Sequence, residues 1–226
     1  MVKTENADSG RTATKRGQIT DAALALFLKQ GYAKTSMDQI AAGAQVSKQT
    51  VYKQFSDKET LFRALARGVT GNSNDIIDDL SAVLAPAPET IAQLRDMVEI
   101  LARRYLDAVM RPHVLALRRL LVAEADRFTD LAHEYYAWGP KRGLGLLAAA
   151  VQAWHDSGLI SVDDASVAAT QLAYLALGPA QDRAMFHPGW TPSAPERKKI
   201  ASAAASTFLA AYAAAGGRQN HERRTS

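Results

Sequence analysis

The chain contains no cysteine. Disulfides, thiolate metal ligands, a cysteine nucleophile and thiol redox sensing are therefore excluded, and a reducing compartment is permitted. No run approaches the roughly 18 apolar residues of a membrane span. The polar stretch Met1 to Arg16 also lacks the apolar segment of a secretion signal. A soluble, cytoplasmic protein is expected. Alternating apolar and polar runs bounded by turn residues are missing too, so strands are not expected and the fold class reads as all-α. The usual signatures of catalysis are equally scarce. His113, His133, His155, His187 and His221 stand twenty to thirty-four residues apart, without an HExxH pattern, ligand-spaced pairs or a Gly-rich phosphate loop. Neither a metal, nor a cofactor, nor an enzymatic activity is expected. His155-Asp156 beside Trp154 is the one pair with a catalytic look, and a protonated His near a helix C-terminus is the simpler account.

What the chain does have is size and an uneven distribution of charge. Its 226 residues allow one large or two modest domains. Residues 1–67 hold eleven Lys or Arg against six Asp or Glu, a net charge of +5, while residues 68–226 hold sixteen against seventeen, a net of −1. A basic N-terminal module suits a polyanionic partner, because DNA association depends on cation placement and counterion release. An ordinary solvated surface accounts for the charge alone equally well, so the choice rests on motif.

The motif lies between Thr35 and Phe62. Ser36 precedes Gln39 by three residues and Ser56 precedes Glu59 by three, each the spacing of a capping box. Ser47 can cap a helix between them. Met37, Ile40, Ala41 and Ala44 supply the buried face of the first short helix. Val51 and Phe55, four apart, anchor the second to a core and leave Lys48, Gln49, Tyr52 and Lys53 pointing elsewhere. Two short helices joined by a turn between Ala44 and Ser47 form a helix-turn-helix pattern. A first helix ending near Gln30, with Ile19, Ala22, Ala23, Leu26 and Phe27 on one face and Gly31 as its stop, braces the motif.

The run Val46-Ser47-Lys48-Gln49-Thr50-Val51-Tyr52-Lys53-Gln54-Phe55, followed by Asp57-Lys58-Glu59-Thr60-Leu61-Phe62, resembles the DNA-binding domain of TetR-family one-component transcriptional regulators. The resemblance implies an all-helical homodimer, usually a repressor, with its second motif helix in the major groove of palindromic operator DNA and a small-molecule inducer in its C-terminal domain. On that basis the DNA-binding residues are expected to be Thr35, Ser36, Ser47, Lys48, Gln49, Thr50, Tyr52, Lys53 and Lys58. Lys48 could reach guanine or phosphate, Gln49 adenine, and Thr50 a thymine methyl or phosphate. Tyr52 and Lys58 match family positions that touch phosphate and set register. Thr35 lies beside a helix N-terminus whose amides favour phosphate. Packing under the motif is the alternative for Tyr52, and a solvated face for Lys53 and Gln54. The chain departs from many family members by carrying Gln45 where they have Gly.

Residues 1–13 read as a disordered arm, 14–67 as the DNA-binding domain, 68–215 as a helical ligand-binding and dimerisation domain, and 216–226 as a disordered tail. The helix after Ser56 is expected to extend toward Leu80 with interruptions at Gly68 and Gly71. Thr129 is expected to cap a short helix through Trp138, with Pro140 opening a longer one. Residues 120–128, Tyr136 and Gly139-Pro140 also resemble AefR-like members of the family. Tyr105, Phe128, Tyr136, Trp154 and Tyr174 are candidate ligand contacts, with plain core packing as the alternative. The Ala-rich final helix, with Ile200, Ala204, Phe208, Ala211 and Tyr212, suits close approach by another backbone. Leu172, Leu175, Ala204, Phe208, Ala211 and Tyr212 are the expected dimer contacts, unless they close the monomer's own core. The contrasting function is a helical interaction or small-ligand-binding protein that does not bind DNA.

Overall fold

The computed structural model describes residues 5–214, except the side chains of residues 5–13 and 69–73. Among the described residues ten α-helices follow one another: α1 (Glu5–Lys34), α2 (Met37–Gly43), α3 (Lys48–Gln54), α4 (Lys58–Leu84), α5 (Ile91–Val109), α6 (Pro112–Ala123), α7 (Thr129–Tyr136), α8 (Arg142–Asp156), α9 (Ala165–Phe186) and α10 (Ala194–Tyr212), with a π-helical turn at Ala137–Lys141. Among the described residues there is no sheet, only one isolated antiparallel bridge between Ile160 and Ala213.

The chain divides into two compact units, residues 1–71 with 116–135, and residues 72–115 with 136–226. The first has a core of Ile19, Phe27, Tyr32, Ile40, Val51, Phe55, Leu61 and Phe62, joined by Leu117, Leu120, Leu121, Phe128 and Leu131 from α6, α7 and the turn between them. Apolar side chains on α6 and α7 therefore group residues 116–135 with the motif, not with the sequence that flanks them. The ring of Phe128 stacks on Phe62 at 4.8 Å and meets Tyr32 edge-on at 5.0 Å. Arg63 binds Asp130 at 2.6 Å and Arg67 binds Glu134 at 3.0 Å. The second unit is a helical bundle built on Leu94, Val98, Leu101, Leu106, Leu147, Val151, Trp154, Leu172 and Phe208. A smaller patch of Ala102, Ala176, Ala201 and Ala204 lets α5, α9 and α10 approach closely.

Several local expectations change. Helix α1 begins at Glu5, inside the stretch read as an arm, because helix propagates from a nucleated segment at one hydrogen bond per added residue. Residues 1–4 and 215–226 lie outside the described residues. Gly31 does interrupt α1, at φ 81° and ψ 161°, although a last turn continues to Lys34. Gly68 and Gly71 do not interrupt α4, since an isolated Gly costs a helix about 1 kcal/mol without ending it. Thr129 donates its hydroxyl to the Ala125 carbonyl instead of capping α7, and α7 continues through the π-turn containing Pro140 into α8. The Nδ1 of His155 accepts the Val162 amide at 3.3 Å.

Candidate nucleic-acid interface

Helices α2 and α3 form where their caps dictate. Ser36 Oγ accepts the Gln39 amide at 3.2 Å while Gln39 Oε1 accepts the Ser36 amide at 2.9 Å, a complete capping box. Ser47 Oγ accepts the Thr50 amide at 3.1 Å, and its distance of 2.8 Å to Thr50 Oγ1 ties both hydroxyls to the start of α3. Between the helices Gln45 adopts φ 55°, the left-handed conformation that favours Gly. The third cap differs from expectation. Asp57, not Ser56, opens α4, its Oδ1 accepting the Thr60 amide at 2.6 Å. The acid reaches this donor in a shorter, charge-assisted bond, and the Ser56 hydroxyl turns to Asp57 and Thr60 instead.

Helix α3 has one buried side. Val51 and Phe55 are sealed in the core. Ser47, Lys48, Gln49, Tyr52 and Lys53 are exposed, and Thr50 is half-buried. Tyr52 is 52% exposed, so it is not sealed beneath the motif. Lys48 Nζ lies 2.6 Å from the Asp38 carboxylate of α2, with both side chains more than half exposed. Arg16 rests 4.4 Å from the Phe55 ring centroid and reaches the Gln54 carbonyl at 3.5 Å, adding a cation near the C-terminal end of α3.

Two expected contacts are redirected inward. Thr35 is only 2% exposed; its hydroxyl donates to the Gly31 carbonyl at 2.9 Å and accepts from Gln30 Nε2 at 3.2 Å. A buried hydroxyl must satisfy itself internally, so its side chain is not part of the surface, whereas Ser36 remains exposed. Lys58 Nζ donates to the carbonyls of Tyr32 and Thr35 at 2.8 Å each and of Ala33 at 3.3 Å, and sits 4.3 Å from the Tyr32 ring centroid. Its three N–H donors close the C-terminal end of α1, where carbonyls without helical partners attract a cation. Burial, then the nearby charge of Arg127, push the Lys58 ammonium below the ordinary lysine pKa. Arg127 also lies 4.7 Å from the Tyr32 ring.

The ligand candidates are not brought together. Tyr105 and Trp154 are buried in the core of the second unit, where Trp154 meets Phe208 edge-on at 6.4 Å. Tyr136 and Tyr174 are exposed. Phe128 belongs to the core of the first unit, because its ring completes the aromatic cluster with Phe62 and Tyr32. Sequence reasoning missed the close approach of α8 to Tyr105: a side-chain carbon added at Gly143 would stand 3.3 Å from the Tyr105 hydroxyl. Of the expected dimer contacts, Leu172, Ala204 and Phe208 are buried in the chain's own core, since they lie on the sides of α9 and α10 that face the bundle. Tyr212 is partly buried and hydrogen-bonds Gln171. Leu175 and Ala211 remain exposed.

This is a capped helix-turn-helix with an outward polar helix face, followed by an all-helical second unit. The family model for bacterial regulatory proteins of the TetR family matches residues 19–65, and that for the C-terminal domain of AefR-like transcriptional repressors matches residues 96–214. The chain belongs to the TetR family of transcriptional regulators. A solved TetR-family regulator from Mesorhizobium loti MAFF303099 is 37% identical with a TM-score of 0.75, the match covering 90% of this chain and 98% of that one. The flavonoid-responsive regulator FrrA is 28% identical with a TM-score of 0.60, over 89% of this chain and 98% of that one. The DNA-binding transcriptional repressor TetR of Mycobacteroides abscessus is 30% identical over 91 residues, 40% of this chain and 48% of that protein. The chain thus spans about half the length of that curated relative.

Proposed function

We propose that the protein is a cytoplasmic homodimeric repressor that places α3 in the major groove of a palindromic operator and releases it when a small molecule enters the second helical unit. The observation that carries this reading is the division of α3 into a core face, Val51 with Phe55, and a polar face on which Lys48, Gln49, Tyr52 and Lys53 are exposed. Ser47, Lys48, Gln49 and Thr50 stand at the helix end that reaches base edges, and Tyr52 and Lys53 at positions suited to phosphate. Ser36 offers its hydroxyl at the start of α2.

Dimerisation is assigned to α9 and α10, through surface that the monomer leaves uncovered. Val167, Tyr174, Leu175 and Phe186 are large, apolar, exposed and spaced along one side of α9. Exposed apolar side chains on one helix are the surface we assign to a partner. A C2 pair would present two α3 helices to half-sites about one DNA turn apart. For the ligand, the core of the second unit offers Met97, Tyr105 and Trp154, and the flavonoid-responsive character of FrrA supports an aromatic inducer class. Release requires that the inducer bind one conformation more tightly than the other.

Fluorescence anisotropy on DNA from the protein's own promoter, against a scrambled duplex and across salt, tests the reading. Selective binding by the wild type, lost in a Lys48→Ala/Tyr52→Ala variant that melts normally, is expected. Equal affinity of wild type and variant for every duplex contradicts it.

A further inference from the structure

The ion pair between Asp38 and Lys48 places a carboxylate on the surface that the proposed function turns toward a polyanion. Asp38 belongs to the first turn of α2 and Lys48 is the first residue of α3, so the pair bridges the two motif helices at their N-terminal ends. Its Nζ to Oδ2 distance is 2.6 Å, and the side chains are 67% and 55% exposed, which leaves both accessible to a docked duplex. An exposed pair of this kind adds little to folding. Its effect on binding is larger, because non-specific affinity for DNA comes almost entirely from cations that displace counterions at phosphates. While Lys48 is paired, it contributes no net charge to that attraction.

We propose that Asp38 is a specificity-determining residue: it neutralises Lys48 against arbitrary phosphate and leaves the ammonium to be released only where a correctly placed base or phosphate replaces the carboxylate. The inference rests on the DNA-binding reading above. A lysine carries a flexible, strongly hydrated ammonium that accepts almost any anionic partner. Specificity is a difference between affinities, and a repulsive or masking group lowers the wrong one. The unpaired alternative would have Lys48 free to serve every duplex alike. Asp38 also holds the ammonium beside the first turn of α3, where the side chains that reach base edges begin.

The test uses five full-length proteins: wild type, Asp38→Asn, Asp38→Glu, Lys48→Met and the double variant Asp38→Asn/Lys48→Met. Each is titrated with a duplex selected by the wild type from random sequence, and with a scrambled duplex, between about 50 and 200 mM salt, a range over which one phosphate contact is worth about threefold in affinity. Asp38→Asn is expected to tighten scrambled-duplex binding by about threefold at low salt and to steepen the salt slope by about one unit, with a smaller gain on the selected duplex. The ratio of the two affinities then falls. In the Lys48→Met background the same change is expected to have no such effect, and Asp38→Glu, which keeps the charge, is expected to retain the wild-type ratio. An unchanged or higher ratio in Asp38→Asn overturns the inference, as does an equal gain in the Lys48→Met background, which would reveal general charge repulsion. Thermal melts of each variant identify any loss of fold, and Asp38→Ser, which also removes the carboxylate, takes the place of Asp38→Asn if that variant unfolds. A wild type that selects no sequence overturns the DNA-binding reading itself. Selective wild-type binding with an unchanged Asp38→Asn ratio removes only the role of Asp38.

Discussion

At residue scale, the motif's turn holds its one described non-glycine residue with positive φ. Gln45 at φ 55° carries the steric cost of left-handed backbone, roughly 1 to 2 kcal/mol, and is exposed. Gln45→Gly removes that strain but raises the entropy of the unfolded chain, leaving a net stabilisation of about 0.5 to 1 kcal/mol. A higher denaturation midpoint with an unchanged m-value is the expected result. Asp57 makes a pH prediction. Hydrogen bonds from the Thr60 amide, then the Thr60 hydroxyl, lower its pKa below the ordinary carboxylate value. A depressed folded-state pKa stabilises the fold above the unfolded value and loses that contribution as pH falls through the folded one. Asp57→Asn is therefore expected to flatten the acid side of the stability profile, as measured by melts from neutral to acidic pH. Lys58 separates a phosphate contact from a structural clamp. With its ammonium on three carbonyls, Lys58→Met is expected to lower the melting temperature while leaving the salt slope of DNA binding unchanged. A slope reduced by about 0.9 would mark a phosphate contact instead.

At the scale of elements, α6 and α7 matter to the first unit as much as its N-terminal helices do. Phe128, 4% exposed, is the aromatic centre of that contribution. Phe128→Ala is expected to destabilise the unit by about 3 to 5 kcal/mol through lost burial and a residual cavity, seen as faster amide exchange in α1 and in the first half of α4 before the second unit responds. The caps that start α2 and α3 were legible because Ser-x-x-Gln and an isolated Ser act through local hydrogen bonds, which sequence spacing displays. The grouping of Phe128, Leu120 and Leu121 with Phe62 was not. Helical periodicity identifies an apolar face without naming the surface it covers, and these contacts join residues more than fifty positions apart. The same limit explains Thr35 and Lys58. Their neighbours in sequence fit a phosphate site, whereas the carbonyls at the end of α1 that claim them become visible only when α1 and α4 pack.

At the scale of the whole molecule, the all-helical class followed from the absence of alternating strands and from repeated helical faces. Of the dimer contacts expected within the last two helices, Leu172, Ala204 and Phe208 are covered by the chain's own bundle, because small and apolar residues occupy several sides of α9 and composition does not say which side the monomer covers. The exposed side of α9 is the surface the proposed dimer would use. A Tyr174→Glu/Leu175→Glu variant is expected to sediment as a monomer while retaining its helical content and the melting of its first unit. Persistence of the dimer would move the interface elsewhere. The central claim is that two α3 helices read DNA together, and selection from a library of random duplexes tests it most directly. The account predicts enrichment of an inverted repeat with half-site centres about one helical turn apart, roughly 10 base pairs. No enrichment, or a motif without two-fold symmetry, would contradict it.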